Sequence, residues 1–215
     1  MRRGSRRKWL LHCSLLLATG LAAGAAAAAG MPTVLVLGDS LSAEYGLPRG
    51  SGWVALLEQR LTQQRIKAGV VNASISGDTT SGGRSRLPAL LKAHAPSHVL
   101  IELGGNDALR GLPLTMTRDN LLAMTRAAKA SGAKVMVLGM RLPPNYGARY
   151  GQDFAALFAE VAASEGAALV PFLLAGVADA PNAEQLFQRD RIHPSADAQP
   201  QLLANVWSVL QPWLK

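Results

Sequence analysis

Four short stretches of this chain place reactive or hydrogen-bonding residues where a packed core has no use for them. Ser40 follows an aliphatic run in VLVLGDSLSAEYGLP, residues 34–48. A serine at such a place can cap a helix, form a turn or act as a nucleophile. Nucleophilic use requires a base, and QRDRIHPS supplies His193 with Asp190 three residues before it. That spacing lets the carboxylate hold one imidazole nitrogen while the other accepts the serine proton. A helix-capping Asp190 beside a surface histidine is the plainer alternative.

Attack on a carbonyl carbon also needs donors aimed at the oxygen that becomes negative. The N–H of Ser40, the unobstructed N–H of Gly77 in SISGDTTSGG and the side-chain amide of Asn106 in GGND are the candidates. Each has a local alternative: Gly77 as a turn glycine with positive φ, Asn106 as a turn former after two glycines. The other mature-chain histidines, His94 and His98, flank Pro96 in KAHAPSH and read as surface-loop residues. No carboxylate or cysteine lies near them to suggest a metal site, and none is expected.

These residues can meet only if the elements carrying them converge. Aliphatic runs at 33–37, 70–75, 98–103, 134–138 and 168–172 read as five strands. Helical segments separate them. Trp53, Leu56, Leu57 and Leu61 share one helix face, and further helices are predicted over 88–94, 114–130, 152–165 and 195–214. Pro88 is placed to open or kink its helix, and Pro200 and Pro212 interrupt the last. Near-continuous apolar strands alternating with helices call for a parallel sheet covered on both faces. The expected fold is a three-layer α/β/α, doubly wound, five-stranded flavodoxin-like domain, with functional groups at the carboxyl ends of the strands.

Composition narrows the partners. Residues 1–29 have a basic head, an apolar middle and Ala27 and Ala29 in A-x-A register, the form of a secretory signal peptide cleaved near Ala29. Residues 30–215 then form the single domain, a periplasmic or secreted protein with no stable membrane insertion. Ser5 to Leu10 also has the look of a twin-arginine export signal. Removing the leader takes away five basic residues and no acid, so the formal charge falls from +8 to +3. The remaining Lys and Arg are scattered among acids, and no nucleic-acid partner is expected. The one cysteine, Cys13, goes with the leader, so the mature chain has neither disulfides nor thiol chemistry. No cofactor is expected, since neither G-x-G-x-x-G nor a P-loop lysine motif occurs. The absence of G-x-S-x-G removes the nucleophile elbow of α/β-hydrolases.

GDSLS, the glycine of SISGDTTSGG, GGND and DRIHP, in that order, resemble the four blocks of the SGNH, or GDSL, hydrolases. LGGNDALRGLP and RLPPNYGARY are similar to the bacterial thioesterase I, protease I and lysophospholipase I group. The resemblance implies Ser40 as nucleophile, Asp190 and His193 as base, and the Ser40 N–H, Gly77 N–H and Asn106 side chain as oxyanion hole. The activity implied is hydrolysis of acyl esters and thioesters through an acyl-enzyme. Apolar residues after Asn106 and in the fourth connection, among them Leu109, Pro143 and Tyr146, suggest an acyl-binding surface. A carbohydrate O-acetyl esterase of the same fold is the alternative, and a non-catalytic periplasmic binding module a more distant one. A monomer is expected.

Overall fold

The computed structural model describes Met1 and residues 31–214. The expected leader lies outside the described residues apart from Met1. Five strands, β1 (Thr33–Gly38), β2 (Gly69–Asn72), β3 (His98–Glu102), β4 (Lys134–Leu138) and β5 (Ala168–Val170), form one sheet in the order β2-β1-β3-β4-β5. Every pairing is parallel, with Leu37 opposite Ile101 and Val137 opposite Ile101 on the far side. This is the flavodoxin-like doubly wound order, whose switch point falls between β1 and β3.

Alternate strand residues feed two separate cores, as the period-2 geometry of a strand requires. Val34, Val36, Leu100, Met136 and Leu138 pack under α1 (Trp53–Gln63) and α6 (Gln199–Leu210). Leu35, Leu37, Val99, Ile101, Val135 and Val137 face α2 (Thr80–His94), α4 (Leu114–Ala130) and α5 (Ala148–Glu165). Trp53, Leu57 and Leu61 are buried on one side of α1, in keeping with their helical spacing.

Among the boundaries that differ from the sequence reading, which include the end of β2 at Asn72 and the start of α5 at Ala148, three have a clear physical reason. Helix α2 begins at Thr80 and runs through Pro88. The weak formers Ser81, Gly82 and Gly83 are offset by the Thr79 cap, whose hydroxyl accepts from the Gly82 N–H at 3.3 Å, and by Asp107, which accepts from the Thr80 N–H at 2.9 Å. Strand β5 stops at Val170 because Pro171 has no N–H for the ladder, which leaves Phe172 free to turn away. The last helical segment is broken into a 3-10 turn at 196–198, α6, and a second turn at 211–213, with Pro200 and Pro212 each in a first turn.

His98 is not a surface-loop residue. It begins β3, is 5% exposed, and stacks on Trp213 with ring centroids 5.7 Å apart. Burial first, then the nearby Lys134 charge, lowers its pKa. His94, the last residue of α2, is exposed as expected.

Candidate active site

The carboxyl ends of the strands bring the sequence-predicted residues together. Ser40 lies two residues past β1, and its Oγ is 2.8 Å from His193 Nε2. His193 Nδ1 is 2.7 Å from Asp190 Oδ2. A continuous chain thus runs from carboxylate through imidazole to hydroxyl, across 153 residues of sequence between Ser40 and His193. With Nδ1 donating to the carboxylate, Nε2 is the lone-pair nitrogen and can take the serine proton.

A small hairpin fixes the histidine. Phe187 and Pro194 form an antiparallel bridge, Gln188 N–H donates to the His193 carbonyl at 2.8 Å, and Arg191 N–H donates to the Gln188 carbonyl at 2.9 Å. Within that turn Asp190 Oδ1 accepts the N–H groups of Ile192 at 2.9 Å and His193 at 3.0 Å. Desolvation acts to raise the Asp190 pKa, but these backbone donors, together with the imidazole, outweigh it and hold the carboxyl at about 2. Asp190 caps no helix: α6 starts at Gln199, nine residues further on, with no side-chain cap. Tyr45 covers one face of the ring, centroid to centroid 4.4 Å. Gln188 Nε2 ties the Tyr45 carbonyl, at 2.8 Å, to the Pro194 carbonyl, at 3.1 Å.

The three candidate oxyanion donors lie on the same edge. Neither the Ser40 N–H nor the Gly77 N–H has an acceptor among the described residues. Gly77 sits at φ 79, a left-handed conformation cheap only for glycine, so its turn role and its open N–H come from one backbone geometry. Arg110 donates to the Gly77 carbonyl at 2.8 Å and holds that peptide against the β3 connection. Asn106 opens the short helix α3 (Gly105–Leu109) and gives one amide N–H to Asp39 Oδ2 at 2.9 Å.

Sequence reasoning did not single out the acids beneath this edge. Asp39 and Glu102 are 2% and 1% exposed. Asp39 Oδ1 takes the Leu41 N–H at 3.0 Å, while Glu102 Oε2 takes the Asp39 N–H at 3.2 Å and the Ser42 hydroxyl at 2.8 Å. Trp53 Nε1 donates to the same Ser42 oxygen at 3.2 Å. A Cβ on Gly38 would come within 2.7 Å of Glu102 Oε2, so only glycine admits the glutamate at this point. Burial pushes the Asp39 carboxyl up to about 6 against the pull of the Leu41 and Asn106 donors. Burial, reinforced by the Asp39 charge, raises Glu102 well above its usual range and favours its neutral form beside the Asp39 carboxylate. Asp107, fully buried, clamps the two donor loops together by accepting from the Thr80 hydroxyl at 2.5 Å and the Thr80 N–H at 2.9 Å. The signal for Asp39 and Glu102 is a single acid directly at a strand end, and for Asp107 it is the acid that closes the GGND block.

Beside the catalytic edge lies a cavity of about 390 Å³ whose walls include Leu109, Met140, Leu142, Pro143, Phe172 and Phe187. Leu109 and Pro143 stand where the sequence reading places them. Tyr146 does not line the cavity and is exposed at its margin. Phe172 and Phe187 are wall residues that aliphatic patterning alone does not reveal. Among the described residues no cluster of His, Cys, Asp or Glu could hold a metal ion.

Residues 36–199 match the GDSL-like Lipase/Acylhydrolase family. The chain is 53% identical to "Esterase TesA" of Pseudomonas aeruginosa over 85% of its own length and 89% of that protein. It is 44% identical to "Thioesterase 1/protease 1/lysophospholipase L1" of Escherichia coli, covering 86% of each. The crystal structure of the psychrotrophic esterase EstA from Pseudoalteromonas sp., inhibited by monoethylphosphonate, superposes with a TM-score of 0.79 at 39% identity, covering 85% of this chain and 98% of that one. The chain belongs to the GDSL-like lipase/acylhydrolase family and is a carboxylic ester hydrolase.

Proposed function

We propose that the protein hydrolyses acyl esters and thioesters through an acyl-enzyme on Ser40. The observation that carries this reading is the unbroken hydrogen-bond chain from Asp190 to His193 to Ser40. As Ser40 Oγ bonds to the acyl carbon, its proton passes to His193 Nε2 and the carbonyl π pair moves onto oxygen. The Ser40 and Gly77 N–H groups and the free N–H of Asn106 receive that oxyanion. Collapse expels the alcohol or thiol, which takes the proton from His193. Water then repeats the sequence against the acyl-enzyme and releases the acid.

The apolar cavity supports recognition of the acyl chain. A sugar-directed esterase would need several polar groups for hydroxyls, whereas the charged lining here is limited to Arg141, Asp179 and Arg191 and the rest of the wall, with Met140, Leu142, Phe172 and Phe187, is apolar. A site of this kind reads the chain more than the leaving group, so oxyesters, thioesters and lysophospholipids are all substrates of the proposed class. The form of residues 1–29 supports export and processing near Ala29, to act as a monomer in the periplasm or outside the cell. No helix among the described residues is long and apolar enough to cross a membrane.

The test is hydrolysis of a series of p-nitrophenyl and thioesters of increasing acyl length by the wild type and by Ser40→Ala. Activity on both ester types that rises with chain length, and that Ser40→Ala lowers by at least about a thousandfold, is the expected result. A preference for acetylated sugars, or more than about a tenth of the activity retained in Ser40→Ala, would overturn the reading.

A further inference from the structure

Soluble proteins scatter their exposed apolar side chains; here they are gathered. Apart from Met1 and Met31, at the margins of the described region, the exposed large apolar residues are Tyr45, Ile75, Leu109, Tyr146 and Ile192, between 36% and 54% exposed. Each belongs to a different connection at the carboxyl edge of the sheet: after β1, β2, β3, β4 and β5 respectively. They are near one another in space as well. The Tyr45 ring lies tilted against His193, Leu109 and Ile192 border the same cavity, and the Ile75 N–H reaches the Gly38 carbonyl at 3.0 Å. The four connections at the opposite edge, residues 64–68, 95–97, 131–133 and 166–167, contribute none.

Four of these connections, all but the one after β2, hold the exposed arginines Arg49, Arg110, Arg141, Arg189 and Arg191. None is in an ion pair with an acid among the described residues. Neighbouring acids are largely spent inward: Glu44 accepts from the N–H groups of Gly50 and Gly52, Asp78 pairs with Arg86, and Asp190 holds His193. Asp179, Glu184 and Asp197 are the other exposed acids of these connections. Arg191 holds its backbone at φ 59, where glycine would be cheaper, and its side chain reaches the cavity wall.

Apolar tips set among arginines that no acid neutralises are complementary to one kind of surface, an acyl layer beneath negatively charged headgroups. We propose that the catalytic edge is a docking face for anionic lipid surfaces, with Tyr45, Ile75, Leu109, Tyr146 and Ile192 entering the headgroup boundary while the arginines engage lipid phosphates. The orientation would set the cavity mouth against the layer, so that a single-chain phospholipid need not leave the surface through water. The use made of docking rests on the hydrolase reading; the docking itself does not.

The two are separated by measuring binding on Ser40→Ala protein isolated after export, with its N-terminus verified to lie beyond residue 29. Flotation with phosphatidylglycerol vesicles should carry at least about tenfold more protein than phosphatidylcholine vesicles, and the difference should shrink in high salt. Adding Ile75→Ser and Arg189→Ser should lower phosphatidylglycerol binding by at least about tenfold. In the Ser40-containing protein the same pair should leave hydrolysis of a short soluble ester unchanged and slow cleavage of lysophosphatidylglycerol embedded in vesicles. Should the pair impair the soluble reaction too, Arg49→Glu takes its place and must lower vesicle binding. Equal flotation with both vesicle types, or undiminished binding in these variants, overturns the docking face. A Ser40-containing protein that binds these vesicles and hydrolyses neither substrate would leave docking standing and count only against the hydrolytic reading.

Discussion

Asn106 gives one N–H of its side-chain amide to the buried carboxylate of Asp39, 2.9 Å away. That contact settles the orientation of the amide, because a flipped side chain would set its oxygen against a carboxylate. The second N–H is thereby left for the oxyanion, one residue along from Asp39 at Ser40. An asparagine at position 39 presents one oxygen and one NH2, and so cannot accept from both Leu41 and Asn106 as the aspartate does. Asp39→Asn should lower kcat by at least about tenfold with little change in KM. Asn106→Ala should lower it by about a hundredfold or more, and the double variant should be no worse than Asn106→Ala alone. Steady-state kinetics of the four proteins check this; independent, multiplying losses would show that Asp39 acts by another route.

Burial beside Asp39 favours the protonated form of Glu102, and Glu102→Gln, which keeps the charge of that form, should therefore retain kcat. The sign of its effect on stability follows from linkage. A carboxyl whose folded pKa is raised costs nothing while both states are protonated, and its cost grows as pH climbs above the unfolded value. Glu102→Gln should raise Tm by about 4 °C or more at pH 8 and by much less at pH 4. Thermal melts at the two pH values measure it, and a Tm gain that does not depend on pH would contradict a neutral buried Glu102.

Asp190 behaves oppositely. Its folded pKa of about 2 lies below the unfolded value, so its contribution to stability is full above about pH 4 and is lost as pH falls toward 2. Asp190→Asn should flatten that part of the acid Tm profile. It should also lower kcat by up to about ten-thousandfold, since the imidazole loses the partner that fixes its tautomer. A variant with full rate and only a stability change would reduce Asp190 to a turn residue.

Much of this arrangement is legible in the sequence because Ser40, Gly77 and Asn106 follow aliphatic runs soon after a parallel strand must end, while Asp190 and His193 are marked by their own local spacing. Strand positions follow from the same runs, and β4 and α4 have the expected limits, Lys134–Leu138 and Leu114–Ala130. What the sequence hides depends on long-range pairing. Glu102 reads as an ordinary polar residue closing a strand, yet Gly38, 64 residues earlier, opens the space that buries it. His98 has the composition of a turn around it, and only Trp213 at the far end of the chain makes it a core residue. The start of α2 is obscured by two glycines, and is held by Asp107 from a different loop. Phe172 reads as strand until Pro171 is seen to end the ladder and turn its ring to the cavity.

The central claim is that Ser40 is reactive because His193 takes its proton, and the rate of covalent modification by a fluorophosphonate measures this without requiring the natural substrate. Peptide mapping of the labelled protein should find one adduct, on Ser40, with a second-order rate at least about a thousandfold lower in His193→Ala. An adduct on any other residue, or an undiminished rate in His193→Ala, would contradict the account.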